Sequence, residues 1–317
     1  MKILFITSTR LGDAVLSTGI LDYLVKTYPE ASFTIVCGPV ASSIFDAVPR
    51  RDKTIVLKKQ KYHKHWIDLY KQVHKTRWDI VVDLRNSFVS RVVPAKRRYI
   101  YGKNINENIH KVAQNASVLE LSEIPAPRVF ITEAQKNEAQ KLLGTAGKIL
   151  AVGPAANWIG KTWDAERFSQ LIDYLTNADG PLFDYRVAVF AAPGEEHIAN
   201  KIFEHLPVDR RINMIAKCNP GVALAALASC DYYIGNDSGL MHGAAAAGVK
   251  TLGLFGPSWP HIYGPYGDHT AYVATKENFA ELIDFDGYDS KTLTRSLMDS
   301  LTVDDVIQTF QQLNSKE

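Results

Sequence analysis

The chain has 317 residues, 46% hydrophobic and 22% charged, with a formal net charge of +2. That length is comfortable for two domains, since single cores stop growing at roughly 250–300 residues, and no biased tract argues for disorder or a fibre. Apolar runs such as 222–227 and 244–247 fall far short of the roughly 20 residues that cross a bilayer.

In chain order, Ile3-Leu4-Phe5-Ile6 reads as a strand, followed by a polar loop that ends at Gly12-Asp13. Val15, Leu16, Ile20, Leu21, Leu24 and Val25 then form the apolar face of a helix. No secretion signal follows Met1, because a longer apolar core and a small-residue cleavage site are missing, so a cytoplasmic location is expected. Residues 33–37, 54–57 and 80–83 are short β-branched runs spaced for crossovers, the pattern of a parallel sheet. Pro125 and Pro127 break regularity, a helix is expected over 133–143, and Gly144-Thr145-Ala146-Gly147 reads as a linker. The first domain is thus expected to cover 1–146.

The pattern restarts over 147–317. Strands at 148–152, 187–190, 232–234 and 251–254 alternate with helices at 167–175, 195–206 and 241–247. The predicted fold class is α/β, two doubly wound Rossmann-like domains facing a cleft, with ligands beyond the carboxyl ends of the strands. A last amphipathic helix, 303–313, is free to cross back to the first domain. Charge divides between the halves: residues 1–150 hold 24 Lys and Arg against 13 Asp and Glu, a net +11, and residues 151–317 hold 12 against 21, a net −9. A basic half suits an anionic ligand or surface; its densest clusters are Lys58-Lys59-Gln60-Lys61 and Lys96-Arg97-Arg98, each of which also reads as a solvated face.

The strongest local signal is Asn236-Asp237-Ser238-Gly239-Leu240-Met241-His242. A strand delivers polar residues to a turn, and Ser238-Gly239 open a small-residue helix whose N–H groups favour an anion such as a pyrophosphate. The plainer reading makes Asp237 an N-cap and His242 a satisfied core or surface residue. After the first strand of the second domain, a Gly-flanked loop carries Asn157 and Lys161, and a lysine there can neutralise a leaving diphosphate. Trp158 and Trp163 in the same stretch either stack or fill core. Glu195 and Glu196 follow another strand end, where a carboxylate can accept hydrogen bonds from a ribose diol or simply stabilise a helix start. In the first domain, Asp13 of Arg10-Leu11-Gly12-Asp13 reads equally as a general base for an acceptor hydroxyl and as the N-cap of a helix from Ala14.

Arg-Leu-Gly-Asp before an apolar helix, Lys161-Thr-Trp-x-x-Glu-Arg-Phe168, the Pro-Gly-Glu-Glu turn, and Asp-Ser-Gly-x-x-His followed by Leu254-Phe255-Gly256-Pro257-Ser258 occur in order over residues 10–258. Together they resemble the heptosyltransferases of glycosyltransferase family 9. The resemblance implies a GT-B fold and an inverting transfer without a metal or other cofactor. It implies a donor such as ADP-heptose and a lipopolysaccharide-core acceptor; from the net +11 of the first half, an anionic glycolipid partner and peripheral contact with the inner membrane face are expected. By the same resemblance Asp13 is the base, Lys161 a phosphate ligand, Glu195 or Glu196 a ribose ligand, and Asp237 to His242 the pyrophosphate loop. Arg10, Gly12, Arg85 and Asn86 are acceptor-side candidates. The chain departs from the family at Ala156 and Asn157, where hydroxyls are usual before the lysine, and Asp83-Leu84-Arg85-Asn86-Ser87 matches the acceptor-side loop only in part.

Asp284-Phe285-Asp286 reads as a surface loop rather than a metal site, and His63 and His65 are expected to be solvated. Cys37, Cys218 and Cys230 form no metal or disulfide pattern and read as small core residues. The absence of a GxGxxG or Walker loop disfavours a dinucleotide oxidoreductase or a kinase, and no nucleic-acid partner is expected. Two rivals stand beside the transferase: a nucleotide-sugar epimerase or hydrolase on the same plan, and a nucleotide-sugar binding module without catalysis.

Overall fold

The computed structural model describes residues 1–144 and 147–315. The chain forms two compact units, Met1–Thr132 and Glu133–Glu317; the expected boundary at residue 146 lies outside the described residues. In the first unit β1 (Lys2–Ile6), β2 (Ser32–Cys37), β3 (Arg51–Val56), β4 (Trp78–Asp83) and β5 (Ala95–Ile100) make a parallel sheet in the order β3-β2-β1-β4-β5. The crossovers carry α1 (Leu11–Leu16), α2 (Thr18–Thr27), α3 (Lys64–Val73) and α4 (Val89–Val92), and α5 (Lys111–Val118) follows β5. Strand β1 lies between β2 and β4, with Ile3 opposite Phe33 and Ile80. Both of its faces are covered, which is why Ile3 to Ile6 are uniformly apolar and buried. Helix α3 buries His65, Leu69 and Val73, one residue per turn. His65 is thus not solvated as expected; its Nδ1 accepts the Gln60 N–H at 3.3 Å.

Because the strands are parallel, their carboxyl ends share one edge, and the loops 7–10, 57–63 and 84–88 leave from it. The basic run Lys96-Arg97-Arg98 lies in β5, at the other side of the sheet from β3. Lys96 pairs with Asp79 at 2.6 Å, and Arg98 donates to the carbonyls of Ser90, Val93 and Ala95.

The second unit begins with α6 (Glu133–Leu143), which was expected to close the first domain. It packs against α9 (Pro220–Leu227) and β8 (Arg211–Ile215), and Arg186 donates to the Leu143 carbonyl at 3.0 Å. The sheet runs β11-β10-β9-β6-β7-β8, with β6 (Ile149–Gly153), β7 (Arg186–Ala191), β9 (Tyr232–Asn236), β10 (Lys250–Phe255) and β11 (Thr270–Ala274). Around it lie α7 (Ala165–Thr176), α8 (Glu196–His205), α10 (Gly239–Ala246), α11 (Pro260–Tyr263), α12 (Phe279–Ile283) and α13 (Val303–Asn314). Helix α13 starts with a Thr302–Asp305 capping box. Its Val306, Phe310 and Leu313 lie in the second unit's core, so the face that could have crossed back is used within its own unit.

Gly153 and Gly235 stand side by side on β6 and β9, under the buried ring of Tyr233. A Cβ at Gly153 would lie 1.9 Å from the Tyr233 hydroxyl oxygen, so only glycine fits. Cys37 and Cys230 are buried, and burial pushes both thiols up to about 12; Cys218 is half-buried rather than core.

Candidate active site

In the second unit, β9 ends at Asn236 and α10 begins at Gly239, with Ser238 as its N-cap. The Ser238 hydroxyl accepts the Met241 N–H. Asp237 is therefore not the cap. Its carboxylate, 7% exposed, turns instead toward the loop after β6. Lys161 Nζ donates to Asp237 Oδ2 at 2.5 Å, and Ser258 Oγ donates to the same oxygen at 2.7 Å. His242, also buried, has Nε2 3.8 Å from Asp237 Oδ1. Three strand ends thus contribute to one cluster: Lys161 after β6, Asp237 after β9 and Ser258 after β10. The start of α10 adds Ser238, Gly239 and Leu240, half-exposed, with helix-start N–H groups that face outward along the axis.

Asn236 locks two of these loops together. Its Nδ2 donates to the Pro154 carbonyl at 2.7 Å, and its Oδ1 accepts the Trp163 N–H at 3.2 Å. Trp163 is a core residue with Nε1 on the Leu301 carbonyl, which decides between stacking and filling. Trp158 packs its ring on Gly160.

A cavity of about 340 Å³ lies beside this cluster, lined by Ala155, Asn157, Trp158, Thr162, Pro193 and Glu195 among others. The two carboxylates of the Pro-Gly-Glu-Glu turn behave differently. Glu195 faces the cavity, where burial raises its carboxyl above the ordinary range; an N–H from Ala192 opposes that and Glu196 adds to it. Glu196 accepts the Gly194 N–H at 2.8 Å in the first turn of α8, a stabilising role at a helix start.

In the first unit Asp13 lies inside α1, not before it: the N-cap is Arg10, which makes no side-chain cap bond. That removes the N-cap reading of Asp13. The carboxylate is half-buried and accepts from Ser8 Oγ at 3.3 Å. Lys111, at the start of α5, senses the Asp13 and Glu107 charges, although burial is the larger effect and lowers its ammonium below the usual lysine range. It donates to Gln114 Oε1 at 3.0 Å and lies 4.5 Å from the Tyr101 ring centroid. Gly12 is half-exposed and Arg10 exposed. In the loop after β4, fully buried Asp83 accepts the N–H groups of Arg85 and Ser87 at 2.8 and 2.7 Å. This holds Arg85 outward over Trp66, while Asn86 accepts from Arg91 at 2.6 Å.

Ser258, Asn236 and Lys111 were not singled out as site residues in the sequence. Asn236 opens the strand-end motif and Ser258 closes a Gly-Pro turn just after a strand, so both carried a signal without a role, whereas Lys111 carried none. Among the described residues no group of three or more His, Cys, Asp or Glu side chains is placed to hold a metal ion, and Asp284 and Asp286 lie exposed in their loop.

Comparison with known proteins supplies the family and the fold. A family model described as glycosyltransferase family 9 (heptosyltransferase) matches residues 95–285. Lipooligosaccharide heptosyltransferase 2 of Campylobacter jejuni is 27% identical over 270 residues, covering 81% of this chain and 82% of that protein. Among solved structures, a family 9 glycosyltransferase from Veillonella parvula aligns with a TM-score of 0.79 at 21% identity, over 100% of this chain and 97% of the other. ADP-heptose lipopolysaccharide heptosyltransferase II of Escherichia coli aligns with a TM-score of 0.74 at 19% identity, over 99% and 98%. With the family match extending over more than half its length and the GT-B fold shared throughout, the chain belongs to glycosyltransferase family 9.

Proposed function

We propose that the chain is an inverting, metal-independent glycosyltransferase. It moves a heptose-like sugar from a nucleotide-diphosphate donor, ADP-heptose by analogy with the named E. coli neighbour, to a lipid-borne, anionic glycan of the lipopolysaccharide-core type. The observation that carries this reading is the Lys161–Asp237–Ser258 cluster at the open start of α10, next to a cavity that ends at Glu195. A diphosphate fits there on charge grounds, with the α10 N–H groups and Lys161 as donors and Glu195 accepting from the ribose.

In the reaction the acceptor hydroxyl oxygen bonds to the anomeric carbon as the bond from that carbon to the diphosphate oxygen breaks. One displacement inverts the centre. Asp13 takes the hydroxyl proton, and the electron pair leaves with the diphosphate, stabilised by Lys161 and the helix start. The acceptor's negative charge suits the basic first half, and the work is placed at the cytoplasmic membrane face.

The test is Asp13→Asn with ADP-heptose and a core acceptor, following ADP release and product by chromatography. Transfer is expected to fall by about 10²–10⁴-fold, with ADP still raising the melting temperature. A variant that transfers at the wild-type rate refutes the assignment of Asp13, and loss of wild-type activity in EDTA refutes metal independence. Sugar isomerised or released without acceptor points to an epimerase or hydrolase. ADP binding with no turnover at all points to a binding module, the reading that Ala156 in the cavity wall favours.

A further inference from the structure

Four neighbouring strands of the second sheet stand in the order β10-β9-β6-β7. The site residues leave their carboxyl ends in that same order: Ser258 after β10, Asp237 and Ser238 after β9, Lys161 after β6 and Glu195 after β7. A ligand with its ribose at Glu195 and its diphosphate at Lys161 and the start of α10 therefore runs across the strands. What the diphosphate carries emerges on the β10 side. Strands lie about 4.8 Å apart, so the three steps from β7 to β10 span roughly 14 Å. The side chain that stands at the β10 end is Trp259.

Trp259 follows Ser258, whose hydroxyl donates to Asp237 at 2.7 Å. With consecutive Cα atoms about 3.8 Å apart, the Trp259 Cα lies within roughly 10 Å of that carboxylate. Its indole is 45% exposed, yet it is held from behind. The Trp259 carbonyl accepts the Ile262 and Tyr263 N–H groups at 3.0 and 2.9 Å, and the ring lies against Phe279 with centroids 4.5 Å apart. Phe279 is itself fixed as the first residue of α12, behind the Asn278–Glu281 capping box. Single exposed aromatics are ordinary on a protein surface, and Phe183, 54% exposed in the loop before β7 at the opposite edge of the sheet, is one. Trp259 differs in being braced by backbone and by a second ring, one position from a residue that touches Asp237.

We propose that Trp259 is the platform for the sugar ring of the donor, taking the C–H face of that ring on its indole. This rests on the nucleotide-sugar reading above and adds what holds the transferred group. A pyranose carries hydroxyls around its rim and polarised C–H bonds on its faces, which suit the negative face of an indole. A ring already braced loses little freedom on contact. Glu195 and the Lys161 cluster serve the nucleotide whatever sugar it bears, whereas Trp259 selects for a sugar with an unhindered C–H face.

The experiment is calorimetric titration of the full chain with ADP and with ADP-heptose, without acceptor. Trp259→Ala and Trp259→Leu are expected to weaken ADP-heptose about five- to ten-fold relative to ADP, with ADP itself within about two-fold of wild type. Trp259→Tyr keeps a flat ring and is expected to stay within about three-fold for both ligands. Phe183→Ser is expected to bind both like wild type. The change in tryptophan emission that ADP-heptose produces beyond that of ADP is expected to vanish in Trp259→Tyr. Melting curves check that all variants fold.

A loss shared equally by ADP and ADP-heptose overturns the proposal, because it places the indole on the nucleotide or in the scaffold. Unchanged binding of ADP-heptose by Trp259→Ala overturns it too, as does Trp259→Leu binding like wild type, which shows that bulk and not a flat face is needed. In each of those cases ADP still binds, so the donor site stands. A wild type that binds neither ADP nor ADP-heptose refutes the donor reading itself, and the platform falls with it.

Discussion

The Lys161–Asp237 pair predicts an asymmetry that charge counting does not. At an effective dielectric constant near 20, unit charges 2.5 Å apart attract by roughly 7 kcal/mol. Desolvation of both ions cancels most of that, so the cost of disruption falls mainly on whichever charge is left behind. Asp237 is 7% exposed and Lys161 20%. Lys161→Met strands a carboxylate that cannot reach water, with the Ser258 hydroxyl as its close donor; a loss of about 3 kcal/mol is expected. Asp237→Asn leaves a lysine that can swing its head to solvent and an amide oxygen that still accepts from Ser258, so about 1 kcal/mol is expected. The double variant has no charge to strand and is expected to lose about 2 kcal/mol, a coupling of roughly 2 kcal/mol. For a unit of this size 1 kcal/mol moves the melting temperature by about 2–4 °C, so calorimetry should show drops near 9 °C and 3 °C for the two single variants. In ADP the Lys161→Met protein is also expected to lose most of its ligand-induced shift, whereas Asp237→Asn keeps it. Equal losses, a reversed order, or a coupling under about 0.5 kcal/mol would refute the reasoning.

Other perturbations separate site from scaffold. Burial raises the Glu195 carboxyl in the folded state, so the charged side chain costs stability once the pH exceeds its folded value, and that cost vanishes below its unfolded value. Glu195→Gln is therefore expected to melt higher than wild type at pH 7 and level with it near pH 4, while weakening ADP; a gap that does not close as the pH falls would sink the assignment. Glu196→Gln, which alters the Gly194 contact at the start of α8 and removes a minor contribution to the rise of the Glu195 carboxyl, should cost under about 1 kcal/mol and leave ADP affinity unchanged in a titration. Gly153→Ala drives a methyl into the Tyr233 ring and is expected to cost about 1–3 kcal/mol or more by overpacking; a wild-type melting curve would contradict the packing described.

What the sequence made legible follows from burial. Strands β1, β2, β4, β6, β7, β9 and β10 are flanked on both sides by neighbours and read as apolar runs. The strands that went unrecognised, β5, β8 and β11, all lie at sheet edges. In β5 the residues Lys96, Arg97 and Arg98 face water, so the run reads as a charge cluster. Helix α6 was recognised, but a pattern of buried residues says which face of a helix packs and not on which domain it packs. At the site, the residue types around Lys161 and Asp237 were readable from strand-end placement. Their pairing was not, because it joins side chains 76 positions apart. The capping roles stayed open for a local reason: Asp237 and Ser238, like Asp13 and Arg10, are near neighbours on the chain, and only backbone geometry decides which one caps.

The Trp163 indole and the Arg167 guanidinium both reach the chain near residue 300. Trp163 donates to the Leu301 carbonyl at 2.9 Å, and Arg167 donates to those of Asp299 and Leu301 at 2.8 and 2.6 Å. Lys161 stands two positions before that tryptophan. During synthesis, the loop that carries Lys161 must therefore wait for a stretch translated some 130 codons later before its geometry is complete. On the donor-site reading proposed above, nascent chains halted short of that stretch would carry Lys161 and Asp237 and still hold ADP poorly, so competence for the ligand waits on residues near 300.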